Sequence, residues 1–229
     1  MKRDNIVGSL ISQYGMSMLL AVLALYIFLA VPLIISGELD PAFIGISEWL
    51  IAILGVLAAA AKGVIRWVII ASFIARFLLF LTIRYQLGLP ENVLSLSAPL
   101  FYLAVIIAIA HNIFLSQRVT YRTIEGAVVV YLGIGLVFAA IFMNMAKADP
   151  GAISNISPSI NTRLGDIFYF SFSTLTTIGY GDAVPVSPMA RSLANLETIC
   201  GQLYLAVVIA RLVGLHIVHA DKGKVGASL

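Results

Sequence analysis

Six long apolar stretches, separated by short polar segments, dominate the pattern of the chain. They cover residues 16–35, 43–61, 64–83, 98–115, 126–145 and 189–218. The first five are close to the ~20 residues that an α-helix needs to cross a bilayer, and the last is longer. Another helical stretch, residues 165–176, is too short to cross. The pattern predicts an all-α membrane protein with six transmembrane helices and one re-entrant helix followed by a loop.

The composition supports a membrane protein and argues against several function classes. Of the 229 residues, 61% are hydrophobic and 11% are charged, whereas soluble domains carry about a quarter charged residues. No enzyme is predicted, because zinc-protease, serine-hydrolase and phosphate-loop motifs are missing. The formal net charge is only +3, which predicts no nucleic-acid partner. The single cysteine, Cys200, excludes a disulfide framework within the chain.

Basic residues predict the orientation of the six stretches. If every stretch crosses the membrane, most basic residues fall on one side, among them Lys2, Arg3, Lys62 and Arg122. Because cytoplasmic loops are enriched in Lys and Arg, both termini are predicted in the cytoplasm of a multi-pass cell-membrane protein. A five-span alternative would put Lys2 and Arg3 outside. Cleavage of the first stretch as a signal peptide would leave the remaining orientation unchanged.

The segment TTIGYGD, residues 176–182, carries the candidate chemistry. Two glycines alternate with larger residues, and glycine reaches backbone torsions that other residues avoid. A strand with alternating torsions can turn successive carbonyl oxygens the same way, and four copies around an axis would form oxygen rings that replace the water shell of a cation. Thr177 could add a ring of hydroxyls. An ordinary glycine-rich turn is the alternative, but it leaves the aromatic, Ser/Thr-rich segment before it unexplained.

This segment resembles the signature of tetrameric potassium channels, in a bacterial-type form. The resemblance extends over residues 125–215 as outer helix, pore helix, filter and inner helix. It implies a potassium-channel pore that conducts K⁺ passively through the lipid bilayer without a cofactor. It also implies a homotetramer, because one filter loop cannot close a ring and symmetry must supply the other copies. The filter residues implied are Thr176, Thr177, Ile178, Gly179, Tyr180 and Gly181, with K⁺ held at Thr177, Ile178, Gly179 and Tyr180.

The resemblance also implies three parts of the chain and a support for the filter. The parts are an N-terminal four-helix membrane domain at 1–117, a pore module at 118–219 and a short cytoplasmic tail at 220–229. Asp182 would form a ring of carboxylates at the outer mouth, or a hydrogen bond that stiffens the turn. The aromatic and hydroxyl residues expected to support the filter are Tyr169, Phe170, Ser173 and Thr174.

Two positions of the sixth stretch leave alternatives open. Gly201 matches the position of the family's inner-helix hinge, although close helix packing is an equally simple reason for a glycine. Glu197 lies one turn earlier. An ionisable residue inside a membrane helix is a functional candidate, and it faces either a cavity in the pore or hydroxyl groups that give it a structural role.

The chain departs from voltage-gated channels in its first four stretches. A voltage sensor needs several arginines at regular intervals on its fourth helix, and the stretch 98–115 has no Arg or Lys and only His111. Weak or absent voltage dependence is therefore predicted. Ser173 stands where some family members carry a glutamate that couples to the aspartate after the filter, so that coupling is expected to be absent. No large ligand-binding domain is expected after residue 218.

Other ionisable residues have weaker predictions. Glu48 and Arg76 are expected to form a structural ion pair between the second and third helices. Arg211 is expected to pair with Glu125 or to extend towards lipid phosphate. Near the inner mouth, a pH-sensing or metal-binding role competes with an inert helix end for His216, His219 and Asp221.

Three other functions remain open from the sequence. An importer with a related filter is disfavoured, because such proteins carry four pore repeats in one chain and only one is present here. A non-conducting regulatory subunit of a channel assembly differs in that the chain alone would not conduct. A less selective cation channel is disfavoured by Tyr180 between the two glycines.

Overall fold

The computed structural model describes residues 3–39, 42–59, 63–85, 95–116 and 119–226. These ranges contain helices joined by short connections, with one isolated antiparallel bridge between Ile153 and Pro185. Helix α1 consists of Arg3–Leu25, the π-helical turn Tyr26–Ala30 and Val31–Ile35. The others are α2 (Ala42–Ala59), α3 (Gly63–Tyr85), α4 (Ser97–Leu115), α5 (Tyr121–Ala148), α6 (Ile160–Leu175) and α7 (Pro188–Gly226).

Four helical segments within the described ranges are long and apolar enough to cross a membrane: Tyr14–Ile35, Ser97–Leu115, Tyr121–Ala148 and Pro188–Leu215. Helix α2 contains a shorter apolar segment, Ile46–Ala58. The described residues of all six predicted stretches are thus helical, and four of the stretches meet the length and composition expected of a span. Helix α7 continues beyond the predicted end at residue 218 into the segment expected to be a tail. The side chains of His216, His219 and Asp221 lie outside the described residues.

The C-terminal part of α1 is irregular one turn before Pro32. The backbone N–H of Val31 bonds to the carbonyl of Tyr26, five residues earlier. Proline has no N–H to donate to the preceding turn, so a wider turn at this position is a natural adjustment. The helical irregularity itself lies at Tyr26–Ala30.

A large apolar core joins α1, α2, α4 and α5. Helices α4 and α5 approach closely where Gly133 faces Ile106, because a Cβ at Gly133 would lie 2.7 Å from Ile106 Cγ1. Helix α1 also reaches α6. The Tyr26 ring meets the Phe168 ring edge-on at 5.7 Å between centroids, and Gly165 leaves room for the Ile35 side chain, which a Cβ would overlap. The short helix α6 is therefore braced by the first helix of the same chain.

The predicted ion pair between α2 and α3 is confirmed. Arg76 Nη2 lies 2.7 Å from Glu48 Oε2. The guanidinium carbon of Arg76 also lies 5.4 Å from the Tyr102 ring centroid, and the Tyr26 hydroxyl donates to Glu48 Oε1 at 3.4 Å. A charge inside a membrane is costly unless it is paired, so this cluster offsets the cost of placing Arg76 in the middle of an apolar helix.

Candidate functional site

The residues after α6 are held by the C-terminal end of that helix. The backbone N–H of Thr177 donates to the Thr174 carbonyl at 3.1 Å, and the N–H of Ile178 donates to the Ser173 carbonyl at 2.9 Å. The last carbonyls of a helix have no partner within it, so these bonds satisfy both groups. The Ser173 hydroxyl accepts from the N–H of Gly179 at 3.2 Å. Residues 177–179 are thus fixed by their amides. Ser173, which was expected to support this segment, accepts two of these bonds through its carbonyl and one through its hydroxyl.

The backbone of this segment alternates between left-handed and ordinary torsions. The φ angles of Thr177, Gly179 and Gly181 are +61°, +56° and +84°. Every second residue is therefore left-handed, which is the alternation that the two glycines predicted. Thr177 is the costly member, because a β-branched residue with positive φ is a genuine outlier. Such strain persists only where the surroundings impose it and is concentrated at functional sites.

One side of the segment is open in a single chain. Ile178 is 54% exposed and Tyr180 is 71% exposed, although both lie in a hydrophobic membrane protein. Backbone at membrane depth is tolerated only where it is buried in protein or lines water. The segment is therefore incomplete as a single copy.

Tyr169 of α6 supports the outer end of this segment. Its ring stacks on the ring of Tyr180, with centroids 6.0 Å apart and planes 9° apart. Its hydroxyl donates to Asp182 Oδ1 at 3.0 Å. This hydrogen bond, helped by the N–H of Ala183, lowers the pKa of Asp182 below its usual value. The stiffening bond anticipated for Asp182 is present.

Phe170 does not support the segment within its own chain. It is 3% exposed, and its ring meets the Phe142 ring of α5 edge-on at 4.9 Å. Successive residues of an α-helix point about 100° apart, so Tyr169 and Phe170 cannot face the same neighbour. Within one chain this side chain anchors α6 to α5, and support of the filter by Phe170 stays a prediction.

Known proteins are similar in sequence to this part of the chain. A family model described as an ion channel matches residues 128–215. The inward rectifier potassium channel Kirbac3.1 of Paramagnetospirillum magnetotacticum is 43% identical over 75 residues, which are 33% of this chain and 24% of that protein. Residues 128–215 are therefore similar to an ion-channel domain, and we call them the pore module below. We refer to α5 as its outer helix, α6 as its pore helix and α7 as its inner helix.

Two further relatives match with lower identity. The two pore potassium channel a of Oryza sativa subsp. japonica is 28% identical over 104 residues, 45% of this chain and 27% of that protein. The voltage-gated potassium channel regulatory subunit KCNF1 of Homo sapiens is 26% identical over 101 residues, 44% of this chain and 19% of that protein. The chain therefore spans about a quarter or less of the length of these relatives.

Glu197 joins all three helices of the pore module. It is completely buried, and its Oε1 lies 2.6 Å from the Ser171 hydroxyl of the pore helix. The same hydroxyl lies 3.0 Å from the carbonyl of Gly135 in the outer helix. Glu197 thus faces the back of the pore helix and has the hydroxyl partner that one of the two sequence alternatives predicted.

Gly201 lies against the end of the pore helix. A Cβ at this position would be 2.7 Å from Leu175 Cδ1 and 2.8 Å from the Leu175 carbonyl oxygen. Nearby, the Thr198 hydroxyl donates to the Thr174 carbonyl at 3.3 Å. Close packing, the second of the two alternatives, is therefore a sufficient reason for glycine here. The inner helix is joined to the pore helix just where the strained segment begins.

Arg211 behaves differently from either sequence prediction. Its Nη2 donates to the carbonyls of Phe114 and Ser116 at 2.6 and 2.9 Å, at the C-terminal end of α4. Glu125 is not its partner, because that carboxylate accepts from the Ser17 hydroxyl of α1 at 2.8 Å. Carbonyls at a helix C-terminus carry partial negative charge. Arg211 therefore caps α4 and ties it to the inner end of the inner helix.

The loop before the pore helix also contacts the outer mouth, which the sequence did not reveal. The Asn155 side-chain amide donates to the backbone carbonyl of Asp182, and Asn155 itself has a φ of +56°. Asparagine is several-fold enriched among left-handed residues. An asparagine in a loop rich in Gly, Pro and Ser was the available signal, but its partner 27 residues away was not predictable.

Proposed function

We propose that this chain is a subunit of a homotetrameric, potassium-selective channel that conducts K⁺ passively. The observation that carries the proposal is the alternation of left-handed torsions at Thr177, Gly179 and Gly181. The pore helix holds the amides of residues 177–179 in this segment. A backbone fixed in this way can present carbonyl oxygens towards a central axis. Such carbonyls replace the hydration shell of K⁺.

Each residue of the filter then has a defined role. The carbonyls of the segment 176–181 bind dehydrated K⁺, with ions held at 177–180. The Thr177 hydroxyl adds oxygens at the inner end. Asp182 provides four carboxylates that concentrate cations at the outer mouth, while Tyr169 holds Tyr180 and Asp182 in place. Ser173 and Thr174 supply acceptors for the filter amides from behind.

Four copies complete the pore. The filter is exposed on one side in a single chain, and so are large apolar residues of the inner helix, including Leu196, Ile199 and Leu203. Closed rotational symmetry is the usual way to bury one repeated surface. Four subunits would cover the inner helices and surround one axis with four filter segments.

The chain crosses the cell membrane six times, with both termini in the cytoplasm. Besides the four long apolar helices, α2 and α3 cross as a pair. The Glu48–Arg76 contact between them makes this acceptable by neutralising a charge within the bilayer. The parts of the chain are a four-helix domain at 1–117, the pore module at 118–219 and the end segment 220–229.

Gating by voltage is weak or absent in this proposal. Helix α4 carries no Arg or Lys over Ser97–Leu115, so it offers no gating charges. The Arg76 charge of α3 is paired with Glu48. We expect open probability to change little between −100 and +100 mV, about the range over which one charge contributes a few kcal/mol.

Ion flux from liposomes tests the function directly. The purified chain should release K⁺ down a gradient and should not release Na⁺. Gly179→Asp should lose this flux, because an Asp in a left-handed position with a new charge in the filter disrupts the carbonyl column. Gly37→Asp is the matched control, since Gly37 is also left-handed, with a φ of +79° and open space around it.

The alternatives appear as distinct outcomes of this experiment. Equal K⁺ and Na⁺ flux would indicate a less selective cation channel. A stable tetramer without flux at any pH or membrane tension would indicate a non-conducting regulatory subunit; KCNF1 is a regulatory subunit by name. Either result would overturn the proposal of a potassium-selective channel.

Removing the Tyr169 hydroxyl should shift the acid sensitivity of the mouth. The hydrogen bond from Tyr169 lowers the pKa of Asp182, so the carboxylate keeps its charge until the pH falls through that lowered value. Tyr169→Phe should return the pKa towards the ordinary value, and K⁺ flux should fall at a higher external pH. Tyr204→Phe removes a hydroxyl that bonds to Ala127. This variant should leave unchanged the external pH at which K⁺ flux falls to half. Equal midpoints for all three proteins would contradict a role of Asp182 in conduction.

A further inference from the structure

The segment that leaves the filter is paired with the loop that precedes the pore helix. Residues 152–154 and 184–187 run alongside each other around the bridge between Ile153 and Pro185. Their backbone bonds are Ser154 N–H to Val184 O at 2.9 Å, Val186 N–H to Ala152 O at 2.8 Å and Ser187 N–H to Ala152 O at 3.2 Å. The Ser154 hydroxyl also accepts from Val184 N–H at 3.1 Å. We call this pairing the loop clamp.

Asn155 extends the loop clamp by one residue to Asp182. Its amide donates to the Asp182 carbonyl, whereas the Asp182 carboxylate is held by Tyr169 on the other side. Asn155 adopts an unfavourable backbone torsion at this position, since its φ is +56° and left-handed torsions are uncommon for residues other than glycine. The backbone carbonyl and the carboxylate of Asp182 are therefore both engaged by its own protomer.

We propose that Asn155 is a positioning residue that sets the outer end of the column of ion-binding carbonyls. A carbonyl that accepts from Asn155 is directed into its own protomer and away from the axis. The column therefore ends at Gly181, and Asp182 contributes only its carboxylate to the mouth. The inference rests on the proposed function, because it assigns Asn155 a role in that same filter.

The same bond limits the freedom of the outer filter. Gly181 has a φ of +84° and nothing within 4 Å of its missing Cβ, so no side-chain packing holds it. The carbonyl that Asn155 bonds belongs to the next peptide, between Asp182 and Ala183. Without the Asn155 amide, that peptide can rotate, the adjoining Gly181–Asp182 peptide loses its nearest fixed point, and the outermost carbonyls leave the orientation that binds K⁺.

Asn155→Gly is the decisive variant, because glycine keeps the left-handed torsion without strain and deletes only the amide. We expect its K⁺ to Na⁺ flux ratio to fall by about fivefold, the factor that corresponds to one lost neutral hydrogen bond. Current decay should also be faster at low external K⁺ and slower when external K⁺ is raised. Asn155→Asp keeps the size of the side chain but cannot donate from an ionised carboxylate, so it should behave like Asn155→Gly.

Ser154→Ala is the matched control within the loop clamp. It removes the hydroxyl bond to Val184 and leaves the Asp182 carbonyl bonded to Asn155. This variant should keep the parent flux ratio and decay. An equal loss in Ser154→Ala would overturn the proposal, because general stiffness of the loop clamp would then explain the effect.

Hydrogen exchange of the same samples separates this inference from the proposed function. In Asn155→Gly, the amides of residues 182–184 should exchange faster than in the parent, and in Ser154→Ala the increase should be confined to residue 184. Unchanged exchange in Asn155→Gly overturns the positioning role whether or not the parent conducts. A parent without K⁺ flux counts against the proposed function alone.

Discussion

Gly201→Ala is expected to abolish most K⁺ flux, although alanine is the better helix former. Replacing a helical glycine by alanine stabilises a helix by about 1 kcal/mol. At Gly201, however, the new Cβ would lie 2.8 Å from the Leu175 carbonyl oxygen. Overpacking of this kind costs about 1–3 kcal/mol. The backbone oxygen cannot rotate away like a side chain, so the end of the pore helix must move.

The effect on conduction follows from what comes after Leu175. Residue 175 is the last of the pore helix, and the filter begins at the next residue. The Thr198 hydroxyl, one turn before Gly201, bonds to the Thr174 carbonyl, and that carbonyl also holds the Thr177 amide. A displacement at Leu175 is therefore passed to Thr177 without an intervening flexible residue.

Gly214→Ala provides the control on the same helix. Gly214 has nothing within 4 Å of its missing Cβ, so alanine should be neutral or stabilising there. Flux and thermal unfolding of the purified protein should be measured for both variants. If Gly201→Ala and Gly214→Ala both conduct like the parent, close packing at Gly201 is not needed for the filter. If both fail equally, helix bending rather than packing is the property that glycine provides.

Glu197→Ala is expected to destabilise the assembled protein by about 2 kcal/mol or more. Glu197 is completely buried, and truncating a fully buried side chain of this size leaves a cavity whose cost is in this range. The hydrogen bond with Ser171 is lost as well. Because Ser171 also contacts Gly135, loosening this junction should weaken the contact of the pore helix with both of its neighbours.

Glu197→Gln should preserve stability, because the hydroxyl of Ser171 has fewer protons than oxygen partners. Ser171 has one hydroxyl proton but two oxygen partners, Glu197 Oε1 and Gly135 O. An amide of the same shape can donate to the Ser171 oxygen and leave the hydroxyl proton for Gly135. Unfolding temperature of the detergent-solubilised protein distinguishes the variants. A Gln variant as unstable as the Ala variant would show that a carboxyl group, and not hydrogen bonding, is required.

The sequence predicted those features that depend on local chemistry. The alternation of torsions at Thr177, Gly179 and Gly181 follows from where the glycines stand. The Glu48–Arg76 pair follows from the cost of leaving either charge alone in an apolar helix. Both predictions are confirmed because few arrangements of the chain satisfy these residues.

Other contacts depend on partners that any sequence would offer. Arg211 and Asn155 bond to backbone carbonyls, and every residue carries such an acceptor. No pattern along the chain therefore marks the partner. The contact of Phe170 with α5 was not predictable for a different reason. The choice between facing the filter and facing α5 depends on the rotation of the pore helix, which the aromatic pair alone does not fix.

The contacts of α1 with the pore helix have a consequence for the architecture of the proposed tetramer. Tyr26 meets Phe168, and Ile35 fills the space above Gly165, all within one polypeptide. Each four-helix domain would therefore stand beside its own pore module rather than beside that of the next subunit. A protomer can then complete its peripheral half before it meets another copy. Assembly would bring together only inner helices and filters, so subunits that differ in their first four helices could share one pore.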